Sequence, residues 1–284
     1  YNYVISLTEA HERREHIKKI FDNKNIPFIF FDAISPSVKM DNLIKEILPN
    51  LQNAKLTSGE KACLMSHVAL WKHCIDEDFP YIGIFEDDVL LGKESASLLN
   101  AHQWIDTIYQ QTNSFILRLE TFLNPVKLKS ISLPCKKNYK INILRSVHYG
   151  TAAYIVSKSA AIKLIKYLQT IPTNSFDPID VLMFDRLLFR KDLPIFQISP
   201  APCVQELQLL QDKSSLNSQL ENERSSISKD RATSSPSIRT TKKIKKPLPQ
   251  RILKELKRFS KRIRNKVRKI RDWNLSLEKI PFDQ

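Results

Sequence analysis

The chain has 284 residues, 42% of them hydrophobic, which is enough for one large or two ordinary domains with a real core. Its four glycines are too widely spaced for the glycine-rich loops of dinucleotide-binding and P-loop proteins, which argues against both classes. The net charge of +15 is concentrated in the segment 239–271, which contains 16 Lys/Arg and one acid. The rest of the chain is therefore neutral.

The four cysteines are expected to be reduced residues of a cytosolic protein. Cys63 and Cys74 fall within one predicted helix, about 16 Å apart at the usual rise per residue, so they cannot form a disulfide with each other. Cysteine and histidine do not show the spacing of a zinc site. The sequence also shows neither a signal peptide nor an apolar run of membrane-spanning length.

Apolar periodicity predicts strands and helices that alternate from the first residue to about residue 200. This alternation predicts one α/β domain over residues 1–210. A capping box of Thr57 and Glu60 precedes the third helix, and Thr8 is predicted to be the N-cap of the first. Strands are predicted over 1–7, 26–31, 81–85, 115–119, 152–157 and 195–198, and helices over 8–24, 40–48, 58–78, 97–110, 158–168 and 178–189.

The predicted strand 81–85 is followed at once by three acids, Glu86, Asp87 and Asp88. Open α/β sheets bind ligands at the carboxyl ends of their strands. Three neighbouring carboxylates repel one another unless a positive group lies among them, and a divalent cation that bridges a diphosphate is an economical solution. A solvated acidic turn is the alternative interpretation of the same residues.

Two further segments follow the predicted domain. Residues 211–248 are rich in Ser, Thr, Asn, Lys and Glu, which is typical of a linker or stalk. In the tail, 249–284, apolar residues recur every three or four positions over 249–273 with Lys/Arg between them, which predicts a basic amphipathic helix on an anionic membrane surface. A solvated helix and nucleic-acid binding are the alternatives, and nucleic acid would explain the charge but not the apolar stripe.

Three groups of motifs occur in a fixed order along the predicted domain. Residues 4–14 read V-I-S-L-T-E-A-H-E-R-R and lead to F-F-D-A at 30–33. Residues 56–71 read L-T-S-G-E-K-A-C-L-M-S-H-V-A-L-W and lead to I-F-E-D-D at the acidic motif. G-T-A-A-Y-I-V-S at 150–157 is followed by P-I-D, which ends at Asp180. As a set, these motifs resemble glycosyltransferase family 25, the lipooligosaccharide galactosyl- and glucosyltransferases of Gram-negative bacteria.

The resemblance implies a single GT-A-like, Rossmann-like α/β domain with a mixed sheet, a UDP-sugar donor, a divalent metal (Mn²⁺ or Mg²⁺) and inversion at the anomeric carbon. It implies Asp88 and Glu86 as metal ligands, where Glu86 also contacts the donor. The residues expected to contact the nucleotide sugar are Ser6, Arg13, Asp32, Glu86, Asp87, Gly150 and Thr151. The alternatives are a solvated helix face for Arg13, an N-cap for Asp32 and a simple turn for Gly150.

An inverting transfer needs a carboxylate that takes the proton of the attacking hydroxyl. Asp180 is the first candidate, Asp177 the second and Glu120 the third, although a helix N-cap explains Asp180 or Asp177 as well. In the helix after the capping box, His67 is a site candidate with a core histidine as the alternative, and Trp71 is assigned to the core.

These observations predict a peripheral enzyme on the inner (cytoplasmic) face of the inner membrane of a Gram-negative bacterium. It would transfer galactose or glucose from a UDP-sugar to a hydroxyl of lipooligosaccharide. Two other classes remain open at this point. One is a scaffold without enzymatic activity that binds anionic membrane or nucleic acid through its basic tail, and the other is a metal-dependent phosphoesterase.

Overall fold

A mixed β-sheet forms the centre of the protein. We describe the structure from a computed structural model, in which residues 1–136, 138–210 and 272–284 are described. Within these residues nine strands pair in the order β12-β7-β8-β10-β5-β9-β3-β1-β2, and β4, β11 and β6 form a smaller sheet. The strands are β1 (Asn2–Ser6), β2 (Ile29–Asp32), β3 (Tyr81–Glu86), β4 (Val89–Leu91), β5 (Ile116–Arg118), β6 (Glu120–Thr121), β7 (Val126–Ser130), β8 (Lys140–Leu144), β9 (Ala153–Ser157), β10 (Ile195–Ser199), β11 (Cys203–Gln205) and β12 (Leu277–Glu278).

The helices connect these strands and cover both faces of the large sheet. The third helix begins with the predicted capping box, in which Thr57 accepts from the backbone of Glu60 and Glu60 accepts from the backbone of Thr57. The helices are α1 (His11–Asp22), α2 (Val38–Ile47), α3 (Ser58–Asp76), α4 (Ser95–Leu99), α5 (Gln103–Gln111), α6 (Lys158–Thr170), α7 (Ile179–Val181) and α8 (Glu206–Leu210), with 3₁₀ turns at Pro49–Leu51 and Thr173–Ser175 and a π-helical turn at Leu182–Arg186.

The core has two layers because side chains alternate across the strands. Tyr3 and Ile5 of β1 lie in the layer that contains the buried faces of α2, α3 and α6. Val4, between them, lies in the opposite layer with the buried faces of α1 and α5. The predicted α/β class with a mixed sheet is confirmed.

Several predicted elements differ from the structure. Helix α1 begins after Ala10 rather than Thr8, because the Thr8 hydroxyl donates to Glu9 instead of capping the helix. The predicted helix 97–110 is two helices, and the predicted helix 178–189 is the short α7 followed by the π-helical turn. Strands β4, β6, β7, β8, β11 and β12 were not predicted.

The last eight residues return to the large sheet, whereas the prediction placed them in the tail. The chain divides into one unit of Tyr1–Leu220 with Leu277–Gln284 and a second unit of Glu221–Ser276. β12 pairs with β7, and the buried Ile280 lies beside Thr121, whose hydroxyl donates to the Ile280 carbonyl. The final segment is thus a structural part of the first unit.

The predicted linker and the predicted basic helix lie almost wholly outside the described residues. In the segments that the structure does describe, no helix has the length and apolarity needed to cross a lipid bilayer.

Each of the four cysteines is described, and none forms a disulfide, as predicted.

Candidate active site

The acidic motif lies where three neighbouring strands end. β1 pairs in parallel with both β2 and β3, so their carboxyl ends meet at one edge of the sheet. Ser6 ends β1 opposite Asp32 at the end of β2, and Glu86 ends β3. Asp87 and Asp88 form the turn from β3 into β4. The structure therefore brings together the predicted residues at the ends of these strands.

Arg13 is the positive group that lies among these acids. Its guanidinium pairs with Asp87 and lies 3.4 Å, Nη2 to Oδ2, from Asp88. Burial raises the pKa of Asp87, although the charge of Arg13 opposes this shift. Burial and the neighbouring Glu86 raise the pKa of Asp88 to about 7. Arg13 was predicted to contact the sugar donor. In the structure its charge partly neutralises the acidic motif.

Arg14, the next residue, holds the ends of β1 and β2 together. Its Nε donates to the Leu7 carbonyl at 3.0 Å, and its guanidinium pairs with Asp32. The guanidinium also lies over the Phe30 ring, 4.7 Å from its centroid. Asp32 is thus fixed in position while most of its side chain stays open to solvent.

Glu86 is connected to β9 and to α3. Thr151 Oγ1 donates to Glu86 Oε1 at 2.6 Å, and His67 Nε2 lies 3.3 Å from the same oxygen. Burial acts to raise the pKa of Glu86, but His67, Thr151 and the charge of Arg13 outweigh it and hold this pKa below its ordinary value. Glu86 is therefore the acid of the motif that stays ionised most readily.

A buried chain of hydrogen bonds leads away from Glu86. The Nδ1 atom of His67 lies 2.8 Å from the Tyr154 hydroxyl, which also accepts from the Trp71 indole at 3.0 Å. All three side chains are buried. Trp71 is a core residue, as predicted, whereas His67 lies both in the core and beside the acidic motif.

A second charged group, Arg118 and Glu120, lies next to Gly150. Arg118 is completely buried, donates to the Gly150 and Tyr149 carbonyls at 2.9 and 2.7 Å, and lies 3.4 Å from Glu120. Neither Glu120 oxygen makes a hydrogen bond of good geometry within the described residues. Burial, with the charges of Glu86 and Asp88, outweighs Arg118 and raises the pKa of Glu120 to about 8.

Position 150 requires a glycine, both because of its backbone conformation and because the Glu120 side chain lies close to it. Its φ is +83°, a backbone conformation that favours glycine. A Cβ at this position would lie 2.9 Å from Glu120 Oε2. This close approach places the predicted Gly150 and Thr151 between the two groups of acids.

The two favoured candidates for the base differ in their surroundings. Asp180 Oδ2 lies 3.5 Å from the Gly150 amide, and its Oδ1 accepts from the Val181 amide at 2.9 Å. Asp177 instead forms an ion pair with Arg186. Among the described residues, Asp180 therefore lies beside Gly150, whereas no contact joins Asp177 to Gly150, Thr151 or the acidic motif.

Sequence analysis missed Arg118 and His148. Arg118 interrupts the apolar run of β5, and a charge within a predicted buried strand is the signal that could have identified it. His148 is buried beside it, and burial together with the charge of Arg118 lowers the pKa of this imidazole to about 2.

Comparison with known proteins shows the family of this chain. The model of glycosyltransferase family 25 (LPS biosynthesis protein) matches residues 1–183. The chain is 48% identical over 223 residues to the lipooligosaccharide biosynthesis protein lic2B of Haemophilus influenzae, covering 78% of this chain and 82% of the relative. It is 35% identical over 285 residues to the lacto-N-neotetraose biosynthesis glycosyltransferase LgtB of Neisseria meningitidis, covering 99% of each chain.

Among solved structures, a glycosyltransferase involved in glycosylation of the major capsid of PBCV-1 is similar at a TM-score of 0.37 and 10% identity. That match covers 79% of this chain and 98% of the viral one. The family match and the sequence relatives are far closer. On their evidence, the protein belongs to glycosyltransferase family 25.

Proposed function

We propose that the protein transfers galactose from UDP-galactose to a sugar hydroxyl of lipooligosaccharide, with inversion at the anomeric carbon, and that glucose is the alternative donor sugar. The observation that carries the proposal is the convergence of the acidic motif, Arg13 and the Gly150–Thr151 segment at one sheet edge, in a member of glycosyltransferase family 25. The relatives named for lipooligosaccharide and lacto-N-neotetraose biosynthesis support the acceptor class.

The donor would lie across the ends of β1, β2 and β3, in a GT-A-like arrangement. Ser6 and Asp32 end two of these strands and would contact the nucleoside. Arg13 carries a guanidinium suited to a diphosphate, because its paired N–H groups match phosphate oxygens. When a diphosphate binds, Arg13 can divide its hydrogen bonds between the phosphates and Asp87.

The acidic motif fits a hard divalent cation such as Mn²⁺ or Mg²⁺. Asp88 Oδ1 is buried and makes no hydrogen bond of good geometry with any described residue, and Glu86 supplies a second carboxylate nearby. Carboxylate oxygens are the ligands these cations prefer. When bound, such a cation would neutralise the diphosphate and the UDP leaving group.

Asp180 is the proposed base of the transfer. In that step the acceptor oxygen bonds to the anomeric carbon, the bond from this carbon to UDP breaks, and the acceptor proton passes to the carboxylate. Asp180 is partly exposed, whereas Glu120 is 1% exposed and Asp177 is paired with Arg186. Asp180 is thus the carboxylate that an acceptor sugar can reach.

The basic segment supports a place at the inner leaflet of the inner membrane. Sixteen Lys/Arg between residues 239 and 271 would favour an anionic surface, at about 1 kcal/mol for each charge that reaches it. A lipid-linked acceptor lies at such a surface, so membrane binding would bring the enzyme to its substrate.

A donor comparison tests the proposed reaction. The full chain is incubated with a lactose-type or lipooligosaccharide acceptor and either UDP-galactose or UDP-glucose, and the glycoside is analysed by NMR for its anomeric configuration. We expect a β-linked galactoside that forms in the presence of Mn²⁺ and is lost in Asp88→Asn. The exposed Asp78→Asn is the matched control. Release of phosphate without glycoside, or an α-linked product, would contradict the proposal.

A further inference from the structure

A set of metal-ligand side chains lies where helix α3 meets the end of strand β3. Cys63 and His67 are four residues apart on α3, so both face the same side of the helix. Glu86 reaches them from the end of β3. One ligand atom from each of these residues lies within 4.8 Å of the other two.

The imidazole of His67 is oriented towards this set. The residue is 1% exposed, and its Nε2 makes no hydrogen bond of good geometry within the described residues. Its Nδ1 lies 2.8 Å from the Tyr154 hydroxyl. When a cation binds, this hydroxyl can accept the Nδ1 proton, so that Nε2, which otherwise faces the Glu86 carboxylate as a proton donor, becomes an electron-pair donor to the metal. Metal-binding histidines commonly hold their second nitrogen in this way.

We propose that Cys63, His67 and Glu86 form a binding site for a borderline-soft divalent cation, with Zn²⁺ as the natural ligand class. A thiolate, an imidazole and a carboxylate with an open fourth position make up a donor set that Zn²⁺ uses. Tetrahedral zinc bonds of about 2.0 to 2.3 Å place ligand atoms roughly 3.3 to 3.7 Å apart. The 3.3 Å from His67 Nε2 to Glu86 Oε1 already meets this requirement.

The charge balance also favours Zn²⁺. Binding requires the Cys63 thiol to lose its proton to solvent, after which the thiolate and the Glu86 carboxylate together neutralise the two charges of the ion. A thiolate selects zinc over manganese and magnesium, which prefer carboxylate oxygens. This site and the Asp88 side of the motif therefore differ in the metal they select.

The effect of bound Zn²⁺ on sugar transfer rests on the proposed function, whereas the binding of Zn²⁺ by these three residues does not. A zinc ion bound here would compete with Thr151 for the Glu86 carboxylate. We therefore infer that Zn²⁺ inhibits transfer by drawing Glu86 away from the donor, even when Mn²⁺ is in excess.

Cobalt substitution tests the site directly. The full chain, stripped of metal with a chelator, is titrated with Co²⁺, whose absorption reports thiolate ligation and tetrahedral geometry. We expect one equivalent to give a thiolate-to-cobalt charge-transfer band and Zn²⁺ to remove it. Cys63→Ser should lose the band and weaken Co²⁺ binding about tenfold or more. Cys135→Ser, another half-buried cysteine, is the matched control and should keep both.

Two further results separate this site from the proposed transferase site. Asp88→Asn should keep the charge-transfer band, because Asp88 is not a ligand, even if transfer is lost. Zn²⁺ should inhibit the wild type more strongly than Cys63→Ser. A wild type without the band, a band of equal strength in Cys63→Ser of native circular dichroism, or loss of the band in Asp88→Asn would each overturn the proposal.

Discussion

Thr151 donates a 2.6 Å hydrogen bond to Glu86 Oε1 and so joins the turn before β9 to the acidic end of β3. This contact links the adjoining ends of two neighbouring antiparallel strands of the large sheet, β3 and β9. With His67 and the charge of Arg13, it holds the pKa of this first acid of the motif below its ordinary value.

Removing the Thr151 hydroxyl should impair transfer while the fold is kept. A hydrogen bond to a charged group contributes about 1.5 to 3 kcal/mol, so Thr151→Val should lower kcat/KM about 10- to 100-fold. Thr151→Ser keeps the hydroxyl and should stay within a few-fold of wild type. Steady-state kinetics with varied UDP-sugar measures both, and an unchanged kcat/KM in Thr151→Val would show that this bond does not position the site.

Glu120 should make stability fall as pH rises. Burial raises its pKa to about 8, above the ordinary value of a glutamate in the unfolded chain. Between these two values the folded protein holds a proton that the unfolded chain has lost. The unfolding free energy should therefore drop with increasing pH in this window, by up to about 1.4 kcal/mol per pH unit from this group.

Urea unfolding at pH values from 5 to 8 measures this slope. Glu120→Gln cannot titrate and should show a shallower dependence than wild type, whereas Glu46→Gln changes an exposed carboxylate and should not alter it. Equal slopes in wild type and Glu120→Gln would mean that Glu120 is ionised in the folded protein.

Gly150→Ala should destabilise the protein more than Gly83→Ala, a substitution within strand β3. The positive φ and the close Glu120 oxygen make an alanine cost about 1 to 3 kcal/mol. At Gly83, a new Cβ meets the flexible Asn2 side chain 2.8 Å away, and Gly83→Ala should cost less. Chemical denaturation of the two variants gives the comparison, and an equal or reversed order would contradict it.

The C-terminal segment offers a matched pair of variants. Ile280 is completely buried and Leu277 is 63% exposed, although both lie in the same short segment. Ile280→Ala should lower the unfolding free energy by about 2 to 5 kcal/mol. Leu277→Ala should stay within about 0.5 kcal/mol of wild type. Similar values for both would show that this segment does not pack on the first unit in solution.

The basic segment should be tested by charge and not by truncation. A truncation within it would also remove residues 277–284, which belong to the first unit. Replacing six Lys/Arg of 251–269 by Gln should weaken binding to vesicles with anionic lipid by roughly 1 kcal/mol for each charge that meets the surface. Activity on a soluble acceptor should be retained. Unchanged vesicle binding at low salt would refute a role for these charges.

The sequence predicted structural elements best where neighbouring residues alone determine them. The strand before Glu86 and the Thr57 capping box both follow from local patterns, and the structure confirms them. The prediction for Thr8 was wrong, because its hydroxyl donates to the adjacent Glu9 carboxylate and the helix begins after Ala10 without a side-chain cap. Strand β7 was missed because lysines interrupt it, and the pairing of both β7 and β8 is set by residues distant in the sequence.

The site was only partly predictable for a similar reason. Residues at the ends of β1, β2 and β3 share an edge by a general rule of parallel strands. The approach of Arg118 and Glu120 to Gly150 depends on how β5 and β9 pair in the folded sheet, which no local pattern specifies. The contact of α3 with Glu86 is equally long-range, so the spacing of Cys63 and His67 alone did not indicate a metal set.

Calorimetric titration of the full chain with UDP, with and without Mn²⁺, tests the central claim most directly. The account predicts saturable binding of one UDP that is strengthened by Mn²⁺ and that loses this Mn²⁺ effect in Asp88→Asn. Absence of UDP binding under either condition would contradict a nucleotide-sugar site at the ends of β1, β2 and β3.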